Sequence, residues 1–302
     1  MSERRSIGLI GLGEVGQVLA IDLNRASGVD LCAWDRLFPL AHSEPRQAAT
    51  RLPFLRAASG MAEAVRDRTV ISAVTAGECL AAAVEAAQAV TPGSYYLDLN
   101  SVSPRTKVEA ARAVEAAGGR YVEAAVMSPI VPQRLASPLW LGGPHAGDFL
   151  PLAQSLGFTG AAVYSRTIGE ASAAKMCRSV IIKGMEALLA ESLLTARRHG
   201  VEDAVLTSLK DLFPVPDWRK LARYMIGRSL QHGRRRAEEM REAVRTVAEA
   251  GVEPWMSRGC IERQQWAAAH ADVLRHEPLT EMLDAMLART PAPQRSPQEP
   301  SR

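Results

Sequence analysis

The stretch SIGLIGLGEVGQVLAIDL, residues 6–23, constrains this chain more than any other. It opens with a short apolar run of the kind that makes a buried strand, and it closes with apolar positions repeating at helical spacing. Between the two stands Gly11-x-Gly13-x-x-Gly16. A strand that enters a helix through this spacing uses each glycine for a separate reason. Gly11 permits the tight turn, Gly13 lets the backbone approach a pyrophosphate, and Gly16 lets the helix pack close to the strand. The first helical turn then aims its unpaired amides at the phosphates. Gly11, Leu12, Gly13, Glu14, Val15 and Gly16 are therefore expected to line a dinucleotide, with the Glu14 carboxylate turned to solvent.

A second strand, VDLCAWD, ends on Asp35, at the distance from the glycines where a carboxylate grips the adenosine ribose. Asp35 tips the choice toward NAD, because it accepts from both ribose hydroxyls and repels a 2′-phosphate. Arg36 beside it would stack on adenine or clamp that phosphate, so NADP stays open. Two further loops follow strands: Val74 and Thr75 after RTVISAV, Asn100 and Ser101 after YYLDL. Ligands of such sheets bind beyond these strand ends, so the four residues are candidates for the nicotinamide half. Ser103-Pro104 reads as a helix cap followed by a first-turn proline, and a plain turn is an equal reading for Ser101.

Strand and helix alternate to about residue 165, through SYYLDLN, GRYVEAAV, PLWLGG and AAVYS, which predicts a parallel sheet covered on both faces. After Thr167 the strand signals stop. Helices are predicted over 168–198, 203–212, 217–231, 233–250, 254–271 and 278–289, punctuated by Gly200, Gly251 and Pro214/Pro216. Two domains are expected, 1–167 and 168–290, followed by a Pro/Ser/Gln-rich tail over 291–302 that should be disordered.

The first of these helices, IGEASAAKMCRSVIIKGMEALLAE, sets Lys175 and Lys183 among apolar residues. At about 100° per residue, Lys175, Ser179, Ile182 and Glu186 share one stripe and Lys183 lies at its edge. Lys175 is the better proton carrier, and Lys183 reads as a snorkelling or ion-paired lysine. The run at Arg234, Arg235 and Arg236, with Glu238, Glu239 and Glu242 behind it, reads as a solvated helix face; an arginine reaching an anionic substrate is the alternative.

The segments GLIGLGEVGQVLAIDL, LDLNSVSP, EAAVMSP and GEASAAKMCRS, in this order, resemble the β-hydroxyacid dehydrogenases. That superfamily includes 6-phosphogluconate and 3-hydroxyisobutyrate dehydrogenases. KGMEALLAE and RRAEEMREAVRTVAEAGVEPWM resemble its branch with a C-terminal helical domain of unassigned function. The resemblance implies a Rossmann-type doubly wound sheet followed by an all-helical domain through which dimers form. It implies hydride transfer on a CH–OH group, with Lys175 as acid and base. Ser179 stands where the family has Asn, and the family's substrate-gripping D-x-x-V-S-G-G appears as EAAVMSP. Met127 and Ser128 occupy that segment, and Pro129 has no amide hydrogen to offer a carboxylate. Ile182 replaces the acid of the decarboxylating relatives, so simple alcohol–ketone redox is expected. Glu186 is placed at the far end of a substrate or at a partner chain.

A net charge of +3 on 36 basic and 33 acidic residues argues against nucleic-acid or membrane binding. The basic run lacks the interleaved aromatics of a nucleic-acid surface. No apolar run reaches membrane-spanning length, and MSERRSIGLIGLG does not read as a signal peptide. Cys32, Cys79, Cys177 and Cys260 show no paired spacing, and the histidines show no metal spacing. A cytoplasmic chain with free thiols and a small-molecule substrate is expected. The rival readings are a non-catalytic NAD(P)-binding regulator, which would not need Lys175, and an imine or ketone reductase of the same fold.

Overall fold

The computed structural model describes residues 5–25, 28–212 and 217–289. Proline positions 214 and 216 and the expected tail at 291–302 lie outside the described residues. Among the described residues eight strands form one sheet: β1 (Arg5–Ile10), β2 (Val29–Trp34), β3 (Leu55–Ala57), β4 (Thr69–Ser72), β5 (Tyr95–Asp98), β6 (Arg120–Val126), β7 (Leu139–Gly142) and β8 (Ala161–Ser165). Their order is β3-β2-β1-β4-β5-β6-β7-β8. Every neighbouring pair runs parallel except β6 with β7, which is antiparallel. The order reverses between β1 and β4, which opens a crevice beyond the carboxyl end of β1.

Six helices accompany the sheet: α1 (Glu14–Arg25), α2 (Glu44–Arg51), α3 (Met61–Val65), α4 (Cys79–Ala87), α5 (Pro104–Ala116) and α6 (Ala146–Ser155). The strand side chains divide by alternation. Ile7 and Leu9 of β1 join Leu19, Leu23, Leu31, Leu97 and Phe149 in the core of one face. Ile10 joins Val70, Tyr96, Val114 and Tyr121 in the core of the other. Residues two apart share a face, so near-continuous apolar strands serve both layers. Gly8 lies against α3: a Cβ there would stand 1.9 Å from the Ala64 carbonyl oxygen. The strand predictions all reappear, and β3 is additional. Three residues at a sheet edge leave no alternation to detect.

From residue 170 the described elements are helices: α7 (Glu170–His199), α8 (Glu202–Leu212), α9 (Trp218–Glu249), α10 (Trp255–Ala268) and α11 (Leu279–Leu287). The helices predicted over 217–231 and 233–250 are the two halves of α9, joined through non-helical backbone at His232 (φ −124°, ψ 15°). Gly233 follows directly, and a Cβ there would meet the Gln264 carbonyl oxygen at 2.4 Å. The chain divides into two compact units. The first runs as far as Ser179 and takes back Arg241–Pro254; the second holds Val180–Met240 and the chain from Trp255 onward. The core of the second unit gathers Leu193, Trp218, Ile226, Leu230, Met282, Leu283 and Met286.

Candidate active site

The turn after β1 fits a dinucleotide at each glycine. Gly11 has φ +91°, in the left-handed region, and a Cβ there would meet the Ala73 carbonyl oxygen at 2.5 Å. A Cβ on Gly16 would stand 2.1 Å from the Gly11 carbonyl oxygen, so α1 closes directly on the turn. Around Gly13, by contrast, the space is open. Helix α1 begins at Glu14, whose side chain is exposed as expected. An open glycine at the start of a helix of 12 residues has room for a phosphate to approach the backbone.

Asp35 follows β2 and is tied to that turn. Its Oδ2 accepts the Leu12 amide hydrogen at 2.9 Å, and its Oδ1 accepts that of Leu37 at 2.9 Å. Each oxygen keeps a second lone pair for a ribose hydroxyl. Arg36 is exposed, and its Nη1 pairs with Glu78 Oε1 at 2.7 Å. Glu78 ends the short turn after β4. It was not singled out from the sequence, where nothing marks an acid 42 residues beyond Arg36 as its partner.

Asn100 braces the two loops expected at the nicotinamide. It is 4% exposed. Its Oδ1 accepts the Val74 amide hydrogen at 2.7 Å, and its Nδ2 donates to Ser72 Oγ at 3.1 Å. Val74 and Ser101 are half-buried at the surface of this brace and Thr75 is exposed. Beneath lies a buried cluster. Lys107 Nζ stands 3.0 Å from Asp98 Oδ1 and donates to the Asp98 carbonyl at 2.8 Å. Tyr121 donates to Asp98 Oδ2 at 2.5 Å, and burial together with that carboxylate pushes its hydroxyl well up, so it remains a donor. The cluster was not expected from the sequence, although Asp98 within YYLDLN marks it, since a charged residue in a buried strand needs a partner.

Ser103 caps α5 as predicted, accepting the Thr106 amide hydrogen at 3.3 Å. The end of α9 returns to hold it. Glu242 Oε2 accepts the Ser103 amide hydrogen at 3.0 Å, and Glu249 Oε1 accepts from the Ser103 hydroxyl at 2.8 Å.

Helix α7 is fastened at its first turn by Glu123 of β6. That carboxylate is fully buried, and it accepts the amide hydrogens of Gly169 and Ser172, both at 2.6 Å. Burial pushes its pKa up, opposed by Lys107 and the two amides. The Ser172 hydroxyl donates to the Val102 carbonyl. Lys175 is half-buried one turn further on, and Ser179, a turn beyond it, is 6% exposed. Met127 and Ser128 leave β6 half-buried; the Met127 amide donates to the Pro138 carbonyl at 2.9 Å, and the Ser128 hydroxyl to that of Pro129 at 3.2 Å. Among the described residues no His/Cys/Asp/Glu group is arranged for a metal.

In the helical unit Lys183 is 8% exposed and its Nζ lies 2.7 Å from Glu239 Oε2, an ion pair as the sequence suggested. Glu186, 2% exposed, accepts from Arg236 and, at 3.3 Å, from Gln264 Nε2. Desolvation pushes the Glu186 carboxyl up and the Arg236 guanidinium down. The expectation of a solvated arginine run is corrected at this residue. Arg234 and Arg235 are exposed, but Arg236 is 7% exposed, because its position turns inward toward α7.

Residues 6–134 match the family profile of the NAD binding domain of 6-phosphogluconate dehydrogenase, and residues 196–267 match a domain of unknown function (DUF1932). Among solved structures, the chain is similar to a conserved hypothetical protein from Sinorhizobium meliloti 1021, at 32% identity and a TM-score of 0.73 over 96% of this chain and 98% of that one. It is similar also to a conserved protein of unknown function described as structurally similar to 3-hydroxyacid dehydrogenases. There the identity is 32% and the TM-score 0.68, over 89% of this chain and 98% of that one. Mitochondrial 3-hydroxyisobutyrate dehydrogenase of Homo sapiens is 24% identical over 216 residues, covering 70% of this chain. The matched region spans 63% of that relative's length. Among the described residues no helix is long and apolar enough to cross a membrane.

Proposed function

The chain belongs to the family that joins the NAD binding domain of 6-phosphogluconate dehydrogenase to a C-terminal domain of unknown function, among the 3-hydroxyacid dehydrogenase-like proteins, and on that premise we propose that it is an NAD(P)-dependent oxidoreductase interconverting a CH–OH group and a carbonyl on a small molecule. The observation that carries this reading is the fastening of α7 to β6 through Glu123. One carboxylate anchors both the turn that precedes Lys175 and the strand that leads into Met127 and Ser128.

The cofactor's place is the cradle of Gly11, Leu12, Gly13, Glu14, Val15 and Gly16, with Asp35 and Arg36 at the ribose and Val74, Thr75, Asn100 and Ser101 toward the nicotinamide. When bound, NAD(P) supplies the two-electron acceptor: the carbinol C–H leaves as hydride, the O–H leaves as a proton, and C=O forms. Lys175 Nζ takes that proton during oxidation and returns it during reduction. Ser179, one turn or roughly 6 Å along the axis, orients the same oxygen. Ser128 holds the substrate through its hydroxyl, since Pro129 offers no N–H. Ile182, in the place of a decarboxylating acid, keeps the chemistry to alcohol–carbonyl exchange. The Glu186–Arg236 pair is assigned to holding the helical unit together rather than to substrate.

Exposed Ile181, Leu188, Trp255 and Met256 support a homodimer formed through the helical unit, and four free thiols support a reducing, cytoplasmic setting. The test of the reaction is NADH and NADPH binding, followed by turnover of hydroxyacids and their keto forms by wild type and Lys175→Ala. Cofactor binding without any turnover that depends on Lys175 would overturn the dehydrogenase reading, and binding with no turnover at all would identify a non-catalytic regulator.

A further inference from the structure

We infer that Glu78 is the residue that sets this chain's preference for NAD(H) over NADP(H), by holding Arg36 as its counter-ion. The inference rests on the proposed cofactor use and deepens it. Arg36 directly follows the ribose-gripping carboxylate, where a guanidinium would receive a 2′-phosphate. Its Nη1 instead lies 2.7 Å from Glu78 Oε1.

The sheet order explains how these two residues meet. β2 and β4 flank β1 on opposite sides, so the loops that leave them stand on either side of the glycine turn. Arg36 comes from the first loop and Glu78 from the second. Their ion pair spans the rim of the crevice.

Charge at that rim decides between the cofactors. Asp35 and Glu78 are set against one guanidinium, which leaves an excess of one negative charge. Asp35 is already oriented by the Leu12 and Leu37 amides, both at 2.9 Å, with lone pairs left for ribose hydroxyls. A neutral ribose needs nothing more. A 2′-phosphate brings a charge of about −2 and must draw Arg36 away from Glu78 while facing both carboxylates. An exposed ion pair is weak in itself, with side-chain exposures of 60% and 33% here. It is sufficient for selection, because the 2.7 Å contact between Arg36 and Glu78 is far shorter than the screening length of about 8 Å.

The experiment measures dissociation constants for NADH and NADPH on the full chain, by quenching of tryptophan fluorescence, in wild type, Glu78→Gln, Glu78→Lys and Glu78→Gln combined with Arg36→Ala. Wild type should prefer NADH. Glu78→Gln releases Arg36 from an exposed ion pair, so it should tighten NADPH by up to about fivefold. It should leave NADH within about twofold, since the ribose hydroxyls carry no charge. Glu78→Lys should invert the preference, and the gain should vanish in the Arg36→Ala background. Equal affinity of wild type for both cofactors, or a Glu78→Gln variant with an unchanged affinity ratio, overturns the inference. Absence of binding of either cofactor to wild type is a different result, and overturns the cofactor reading itself.

Discussion

Glu123 Oε1 accepts the amide hydrogen of Ser172 at 2.6 Å, which locks a strand of the sheet to the first turn of the helix that carries Lys175. A carboxylate at a helix N-terminus satisfies donors that have no intrahelical partner and sits at the positive end of the helix dipole. The position of Lys175 is therefore set from the sheet rather than by the helix alone.

Glu123→Gln should destabilise the fold by about 1–3 kcal/mol, because the new NH2 group faces one of the two backbone donors. Denaturant midpoints measure this. The sign of the pH dependence also follows. The folded pKa of Glu123 lies above its ordinary value of 4.5, with burial as the main cause. The native state thus binds the proton more tightly than the unfolded state. The contribution of Glu123 is full below about pH 4.5 and is lost as pH rises through the raised folded value. Unfolding free energy plotted against pH above 4.5 should accordingly fall less steeply in Glu123→Gln than in wild type.

Gly13→Ala and Gly16→Ala should separate binding from folding. A Cβ at Gly13 meets nothing, so the variant should keep the wild-type melting temperature while losing NADH affinity by at least about tenfold. A Cβ at Gly16 meets the Gly11 carbonyl at 2.1 Å, so that variant should lose melting temperature as well. Scanning calorimetry beside cofactor titration distinguishes the two. Undiminished NADH binding by Gly13→Ala counts against the cradle.

Lys175→Ala should bind NADH normally and lose turnover by about 10²–10⁴-fold, the usual range for a lost general acid or base. Single-turnover kinetics at saturating cofactor report this directly. An equal loss in cofactor affinity would place Lys175 at the cofactor rather than at the proton.

Glu186→Ala should cost about 3–5 kcal/mol, because it leaves the Arg236 guanidinium buried without its partner. The double variant Glu186→Leu/Arg236→Met should recover most of that loss, since apolar groups of similar volume need no counter-charge. Arg234→Glu, on the exposed side of the same helix, should stay within about 0.5 kcal/mol. Urea denaturation of the three variants decides the matter. A costless Glu186→Ala would mean that the pair does not hold this unit.

Much of the first unit was legible because its signals are local. Gly11, Gly13 and Gly16 stand at a fixed spacing between a strand and a helix, and Asp35 ends a strand whose apolar run is plain. The break at residue 232 was legible for the same reason, with Gly233 directly behind it. β3 was not, since three edge residues carry no period. Arg234 and Arg236 look alike in sequence, yet one is exposed and the other buried. The difference is a matter of which helix face meets α7.

By itself, the sequence determined the alternation of strand and helix, the glycine turn, the cap at Ser103 and the switch to helices after Thr167. All of these follow from backbone dihedral preferences and from side-chain periodicity over a few residues. Only the tertiary structure decided which charges meet: Arg36 with Glu78, Lys107 with Asp98, Glu123 with the start of α7, Glu186 with Arg236. Partners separated by up to 50 residues along the chain are set by strand order and helix packing, and a charge carries no mark of its partner until burial makes an unpaired one too costly to keep.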